Sequence, residues 1–371
     1  MNYIKWIDEL GINSKILDSK KQQTDYKIKY VTRYIQLWLF VNSNRSKITD
    51  LNFIDCMCNA GIYQDGDLCT AAEVLTLFIE AAQKHPDKQF NLFVNDHSEP
   101  RMKICKLVLN KILGGFTSPN LIIYYHVSDV NDYLLNFKLF DTHMGFASTV
   151  LFVDPYDFGT VKIDHLTAFI SKYYCEVIFN FFISDYVRNG VDARIRECIG
   201  EVNITNKDEL VSHIVKSIKV GKMKYVFSYK FKTSKNTELY QIIYVTPHPK
   251  GLEKLKDALW EIFNGQFFHR NHEIDSDQFT FLTEQDDRES LLNMHSCEAR
   301  ALVFKRFSGE TVEYKQIDLF LLENTMMQTS NFIRYIIKPM ISEGKIIKHG
   351  TQKNRNNYKN DQYTIKKELT I

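Results

Sequence analysis

Apolar residues along the chain fall into short, nearly unbroken runs separated by amphipathic stretches. The runs "LNFI" (51–54), "FNLFV" (90–94), "LIIYY" (121–125), "TVLFV" (149–153) and "CEVIFNFF" (175–182) are rich in β-branched and aromatic residues. Runs of that length and make-up predict buried strands. Between them, 71–83 and 101–113 carry apolar residues at helical spacing. Thr70 and Glu73 have the spacing of a capping box, and Ser98, Glu99 and Pro100 suit a helix start. Strands that are apolar throughout and alternate with helices predict a parallel sheet covered on both faces. Two more extended segments, 224–232 and 238–246, are joined by a short turn and predict an antiparallel hairpin.

Five parallel strands followed by such a hairpin predict an α/β fold, the doubly wound, Rossmann-like methyltransferase sheet. Residues 1–50 precede it as a helical segment, with a helix over 24–42. On that helix Lys27, Tyr34 and Trp38 are spaced by seven and then four and share a stripe. Tyr34 and Trp38 read as packing residues, whereas Lys27 could meet an anion. The sheet domain is expected over 51–265. The polar, acid-rich stretch that follows predicts a linker, 266–296. Residues 297–371 read as a C-terminal winged-helix domain. There a second helix, 331–342, opens at Gln328, Thr329 and Ser330 and stops at Gly344. The strands "KIIKH" and "QYTIKK" flank the wing tip "GTQKNRNNYKN".

Composition narrows this picture little. The chain has 371 residues, 44% hydrophobic and 25% charged, and a net charge of +2. No apolar run approaches the roughly 20 residues of a membrane span. Seven scattered cysteines suggest a reducing, cytoplasmic setting. Cys56 and Cys58 form a C-x-C with no second pair at zinc spacing, so no metal is expected. Beyond the acid-rich linker, charge is uneven at the end. Residues 331–371 hold nine Lys/Arg against three Asp/Glu. That excess makes Arg334, Lys345, Lys348, Lys353, Arg355 and Lys359 candidate phosphate contacts for DNA or RNA.

Ligands of a doubly wound sheet sit at the carboxyl ends of its strands. Asp55, Asp96, Asp129 and Asp154 fall at four such ends. Asp96 suits a ribose hydroxyl pair, with Glu99 as a reserve, and Asp129 suits an adenine amino group beside Val130. Asp154-Pro155-Tyr156 is similar to the D/N-P-P-Y/F turn of methylases that act on exocyclic amines, where the polar side chain holds the amine and the ring stacks on the base. In the loop after the first strand, Asn59, Gly61 and Tyr63 would surround a nucleotide cofactor. Asn59 stands where such loops favour glycine. Asn tolerates the left-handed region at a cost of roughly 1 kcal/mol, which predicts a weakened but working loop.

These residues together resemble the three-Cys-motif partner (TcmP) family of bacteria. Lys27, Tyr34 and Trp38 match its first helix. Asp55, Met57, Cys58, Asn59, Gly61 and Tyr63 match its D-x-F-A-G-x-G-x-Y loop. Asp154, Pro155 and Tyr156 match its D-P-F/Y-G segment, with Asp157 in place of the glycine. Asn180, Phe181, Arg188 and Asn189 match a further motif, and Thr246, His248, Gly251, Lys256 and Trp260 match the last. The resemblance implies a methyltransferase-like fold, S-adenosylmethionine as cofactor and a three-cysteine partner protein. The expected function is methyl transfer to nucleic acid, most naturally to a base amine. Two alternatives stand beside it. One is a non-catalytic nucleic-acid-binding subunit of a multi-protein system such as phage defence. The other is a small-molecule methyltransferase whose winged helix docks proteins.

Overall fold

The computed structural model describes residues 3–138, 147–190, 192–200, 202–233, 237–270, 284–350, 358, 359 and 361–367. The chain folds as two compact units, 1–251 with 268–273, and 252–267 with 274–371.

The first unit is built on one sheet. Its strands are β1 (Asp50–Asp55), β2 (Gln89–Asp96), β3 (Leu121–Val127), β4 (Ala147–Val153), β5 (Glu176–Phe181), β6 (Tyr225–Lys232), β7 (Glu238–Thr246) and the two-residue β8 (His269–Arg270). Their order is β3-β2-β1-β4-β5-β7-β6-β8. The first five are mutually parallel, and β7 runs antiparallel to both β5 and β6. The five parallel strands and the terminal hairpin are therefore in place, with β8 added at the edge. Every residue of β1 is buried, as a central strand covered on both faces requires.

Helices cover both faces; α1 (Lys5–Glu9), α7 (Ile183–Asn189) and α8 (Asp192–Ile199) complete the set with those that follow. On one lie α2 (Gln22–Ser43), α3 (Thr70–Lys84) and α4 (Glu99–Leu113); α2 packs on α3, and α3 on α4. On the other, α5 (Val130–Asn136), α6 (Ile163–Lys172) and α9 (Lys207–Ile218) bury an apolar cluster that includes Ile54, Phe93, Leu151 and Phe179. Ser98 caps α4 by accepting from the Arg101 N–H (3.4 Å), as its sequence predicts. The capping box expected at Thr70 does not form. Thr70 is the first helical residue of α3, and no side chain caps that end.

Residues 1–50 are not a separate segment but part of the first unit, and the stripe on α2 explains why. Tyr34 and Trp38 are fully or almost fully buried. The Tyr34 hydroxyl hydrogen-bonds the Glu176 carboxyl on β5 and lies 2.6 Å from the Tyr244 hydroxyl on β7. Burial pushes the Glu176 pKa up, and the hydroxyls of Tyr34, Tyr244 and Thr246 oppose it.

The second unit runs through α10 (Pro249–Phe263), α11 (Glu284–Phe307), β9 (Thr311–Glu313), α12 (Tyr314–Asn324), α13 (Thr329–Phe332), α14 (Lys338–Ser342), β10 (Ile346–His349) and β11 (Gln362–Ile365). Its sheet is antiparallel, in the order β10-β11-β9. Between α13 and α14 the helix widens into a π turn over Ile333–Ile337. Pro339 follows, and a wider turn accommodates its missing N–H and ring.

Two boundary expectations are corrected here. Residues 252–265 belong to the second unit rather than to the sheet domain, because Lys256 and Trp260 of α10 anchor α12. The buried Lys256 ammonium donates to the carbonyl oxygens of Leu322 and Thr325, and the Trp260 indole donates to the Met326 carbonyl (2.6 Å). The expected linker 266–296 is helical from Glu284 onward. Its central part, 271–283, lies outside the described residues. The stripe of α11 that is buried runs through Leu292, His295, Ser296, Ala299, Val303 and Phe307. The polar His295 and Ser296 interrupt the apolar period there.

Replacing Tyr34 with Phe removes the hydroxyl that Glu176 accepts from and leaves the packing. Tyr34→Phe is expected to lower the unfolding free energy by about 1–2 kcal/mol in a urea titration. An unchanged midpoint would show that the hydroxyl does not tie α2 to the sheet.

Candidate functional site at the carboxyl ends of the strands

A crevice of about 370 Å³ opens at the carboxyl ends of the parallel strands. Lys27, Asp55, Asn59, Tyr63 and Asp96 line it, and so do Asp154, Pro155 and Tyr156. A second hollow of about 420 Å³ lies at the amino ends of the strands, around Asn52, Asn91 and Thr149. The carboxyl-end crevice is the candidate site, since ligands of this sheet type bind there.

Each strand delivers its acid differently. Asp55, the last residue of β1, is 1% exposed, and its Oδ1 accepts from the Met57 N–H (3.2 Å). Burial pushes its pKa up to about 8; the nearby charges of Asp154 and Asp96 add to the rise, and the Met57 hydrogen bond opposes it. Asp96 closes β2. Its Oδ2 accepts from the Asn59 N–H (3.2 Å) and its Oδ1 from the Ser98 N–H (2.8 Å). Each oxygen keeps a lone pair for a ligand. Asp154 follows β4. Its Oδ2 lies 2.5 Å from the Lys27 ammonium, and its Oδ1 accepts from the Asn180 amide (3.0 Å). The Tyr30 hydroxyl supports Asn180 from α2 (3.3 Å). The anion that Lys27 meets is therefore a carboxylate of the protein.

The loop after β1 is held in place by its own residues. Asn59 has φ +60°, in the left-handed region that its sequence position predicts. Its side chain accepts from the Ala60 N–H (2.7 Å) and donates to Asp18 (2.8 Å). Gly61 does not line the crevice. It has φ +79°, and a Cβ there would meet the Cys105 backbone and Val108 of α4 at 3.4 Å. Its role is close packing of the loop on a helix. Cys58, whose thiol is 3.9 Å from that of Cys105, and Cys56 are buried. Among the described residues no group of three or more His, Cys, Asp or Glu could hold a metal ion.

Asp129 sits outside the crevice proper. It caps α5 by accepting from the Asn131 N–H (2.8 Å) and lines a side cavity of about 100 Å³ together with Val130. That cavity shares Met57, Asp96, His97 and Tyr156 with the crevice. Glu99 turns away and pairs with Lys103 (2.8 Å).

Sequence patterns missed the strap that roofs the crevice. Asp18, Lys21, Gln23 and Thr24 line it from the segment before α2 and from its first turn. Asp18 bridges Asn59 and the Arg101 guanidinium (2.8 Å). Gln64 donates to the Leu17 carbonyl (2.8 Å). Short, polar and without a period, the strap carries no sequence signal. Tyr240 and Phe182 add aromatic wall.

In the second unit the candidate phosphate contacts divide. Arg334, Lys345 and Lys359 are exposed, although Lys345 pairs with Glu343 (2.7 Å). The Lys348 side chain is 13% exposed and pairs with Asp361 (2.6 Å). Lys353 and Arg355 lie outside the described residues.

No protein-family model matches the chain, and neither does any curated protein. Solved structures similar to it include Trm1 from Pyrococcus horikoshii in complex with S-adenosyl-L-methionine, at 11% identity and TM-score 0.37, covering 66% of this chain and 62% of that one. A putative class I S-adenosylmethionine-dependent methyltransferase from Listeria monocytogenes matches at 11% identity and TM-score 0.32, covering 66% and 65%. Spermidine synthase from Thermotoga maritima matches at 12% and 0.36, covering 74% and 77%. The chain thus spans less than two thirds of the first two. Among the described residues no helix is long and apolar enough to cross a membrane.

The Asp55 shift has a testable sign. A carboxyl whose folded pKa lies above its unfolded value contributes stability below the unfolded pKa, near 4, and loses it as pH rises toward 8. Between pH 5 and 8 wild type is expected to lose on the order of 3 kcal/mol more unfolding free energy than Asp55→Asn. Parallel pH profiles for the two proteins would contradict the assignment.

Proposed function

We propose that the protein is an S-adenosylmethionine-dependent methyltransferase that acts on nucleic acid, with a base amine as acceptor. The observation that carries this is Asp96, fixed at the end of β2 by two backbone N–H groups with acceptor capacity left over. A carboxylate so placed suits the two hydroxyls of a ribose. The donor set fits the cofactor: Asp96 for the sugar, the side cavity with Asp129 for the base, and Asp55 with Tyr63 beside the left-handed Asn59 turn for the rest. When bound, the cofactor supplies an electrophilic methyl group.

The acceptor would meet Asp154-Pro155-Tyr156. Tyr156 is 67% exposed at the mouth of the crevice, a free ring face for a base. Asp154 has one lone pair taken on each oxygen, by Lys27 and by Asn180. It is therefore placed to orient an amine. The helices and three-stranded sheet of the second unit suit a winged helix, and its exposed Arg334, Lys345 and Lys359 suit phosphates. Membership of the TcmP family, with a three-cysteine partner and a cytoplasmic setting, is part of this reading.

A second reading keeps one observation on its side. The Lys27 ammonium already occupies an Asp154 oxygen, which is the arrangement a non-catalytic nucleic-acid-binding subunit could retain. Calorimetry separates the two. S-adenosylmethionine is expected to bind, and Asp96→Ala to remove the heat. No heat at millimolar ligand favours the non-catalytic subunit. In the catalytic case Asp154→Ala abolishes methyl transfer while cofactor binding survives; loss of both would make Asp154 structural.

The nucleic-acid reading is tested in the full chain by salt dependence. Replacing Arg334, Lys345 and Lys359 together with Ala is expected to flatten the log–log salt slope by about two to three units. An unchanged slope, or no binding of duplex DNA or structured RNA by wild type at low salt, would overturn it.

A further inference from the structure

β3 forms one edge of the large sheet, and among the described residues β2 is the only strand paired with it. The opposite edge is β8, two residues long, which offers little backbone to pair. β3 is a different kind of edge. It runs for seven residues, Leu121–Val127, in unbroken register with β2. The run "LIIYYHV" holds no Asp, Glu, Lys, Arg, Pro or Gly. Charges, prolines, bulges and shortness keep exposed edges from pairing, and this edge has none of them.

The ladder to β2 decides which backbone groups of β3 face outward. The Phe90 N–H donates to the Asn120 carbonyl (2.8 Å). A parallel strand turns successive residues to alternate sides, so Ile122, Tyr124 and His126 direct their backbone groups at β2. Ile123, Tyr125 and Val127 aim theirs away from the sheet. The Leu121 carbonyl also faces outward, while its N–H is taken by the Ser118 carbonyl (3.2 Å).

An antiparallel partner must set outward residues opposite outward residues. A second copy of this strand, related by a two-fold axis at Tyr124, does so. Ile123 then meets Tyr125 of the copy, Leu121 meets Val127, and the two Tyr124 residues form a non-hydrogen-bonded pair. A shift of one residue would set outward groups against inward ones, and a shift of two would leave the strand ends unpaired. Side chains match in the same register. Ile123 beside Tyr125 is a β-branched residue beside an aromatic ring, a favourable cross-strand pair. Ile122 stands opposite His126, and no carboxylate or ammonium faces its like. An open hollow of about 470 Å³ runs along one face of the strand, lined by Ile123 and Tyr125 with Leu113, Phe116 and Pro119. Ile122 and Val127 are 39% and 50% exposed, apolar surface that a second copy would cover.

We propose that β3 is a homodimer interface, where two copies of the chain pair edge to edge, antiparallel about Tyr124, and join their sheets into one. A strand that matches its own reversal in outward groups, side-chain pairs and charge favours a second copy over a different chain. The proposal does not rest on the cofactor reading.

Ile122 and His126 are both exposed and stand opposite each other across the axis, so charges placed there read the register. Sedimentation velocity of the full chain at micromolar concentration is expected to show a dimer. Ile122→Lys with His126→Lys sets like charges opposite each other and is expected to weaken that dimer at least about tenfold. Ile122→Lys with His126→Glu sets opposite charges there and is expected to restore it. Hydrogen exchange of wild type needs no variant. The Ile123, Tyr125 and Val127 amides are expected to exchange at least about tenfold more slowly in the dimer than after dilution to the monomer. A wild type that stays monomeric at hundreds of micromolar would overturn the proposal. So would a dimer in which those three amides exchange freely, or two folded charge variants that dimerise alike.

Discussion

Three carboxyl groups, Asp55, Asp96 and Asp154, meet in one crevice, and the arrangement of the first unit follows from what it takes to keep them there. Like charges at close range in a partly buried site cannot all ionise without compensation. The chain supplies three kinds. Asp96 is held by two backbone N–H groups of neighbouring turns. Asp154 takes the Lys27 ammonium from α2. Asp55, with one backbone hydrogen bond and almost no solvent, holds its proton up to about pH 8. Lys27 can reach Asp154 only because α2 lies against the sheet, and α2 lies there because Tyr34 and Trp38 are buried further along the same face.

The same logic explains how the loop works with a single glycine. Gly61 serves the close approach to α4, and Asn59 serves the turn. What a glycine would do by lacking a side chain, Asn59 does by using one: its amide binds the next backbone N–H and the strap residue Asp18. The loop is thus fixed from the N-terminal side as well as from the sheet.

The central strands were legible because burial on both faces leaves an unbroken apolar run, and the acids were legible because each ends such a run. Lys27 stood out as a charge on an otherwise apolar stripe. Other features left no such trace. The strap over the crevice is polar and aperiodic. Tyr30 and Asn180 act through Asp154 across 150 residues of sequence. The helix that replaces the expected linker hides its period because His295 and Ser296 occupy buried positions. Lys348 looks like a phosphate ligand in the sequence, and its pairing with Asp361 is visible only in the fold. Charge in a sequence is visible; its partner seldom is.

Asp55 is the protonated member of the carboxyl cluster, and on the proposed reading that cluster receives a cationic ligand. Proton release on binding tests it most directly. Titrating S-adenosylmethionine into the protein at pH 7, in buffers of different ionisation enthalpy, should show release of up to about one proton, as the sulfonium and ammonium charges favour ionised Asp55. Asp55→Asn should bind without that release. Buffer-independent heats in wild type, matching those of Asp55→Asn, would contradict the account.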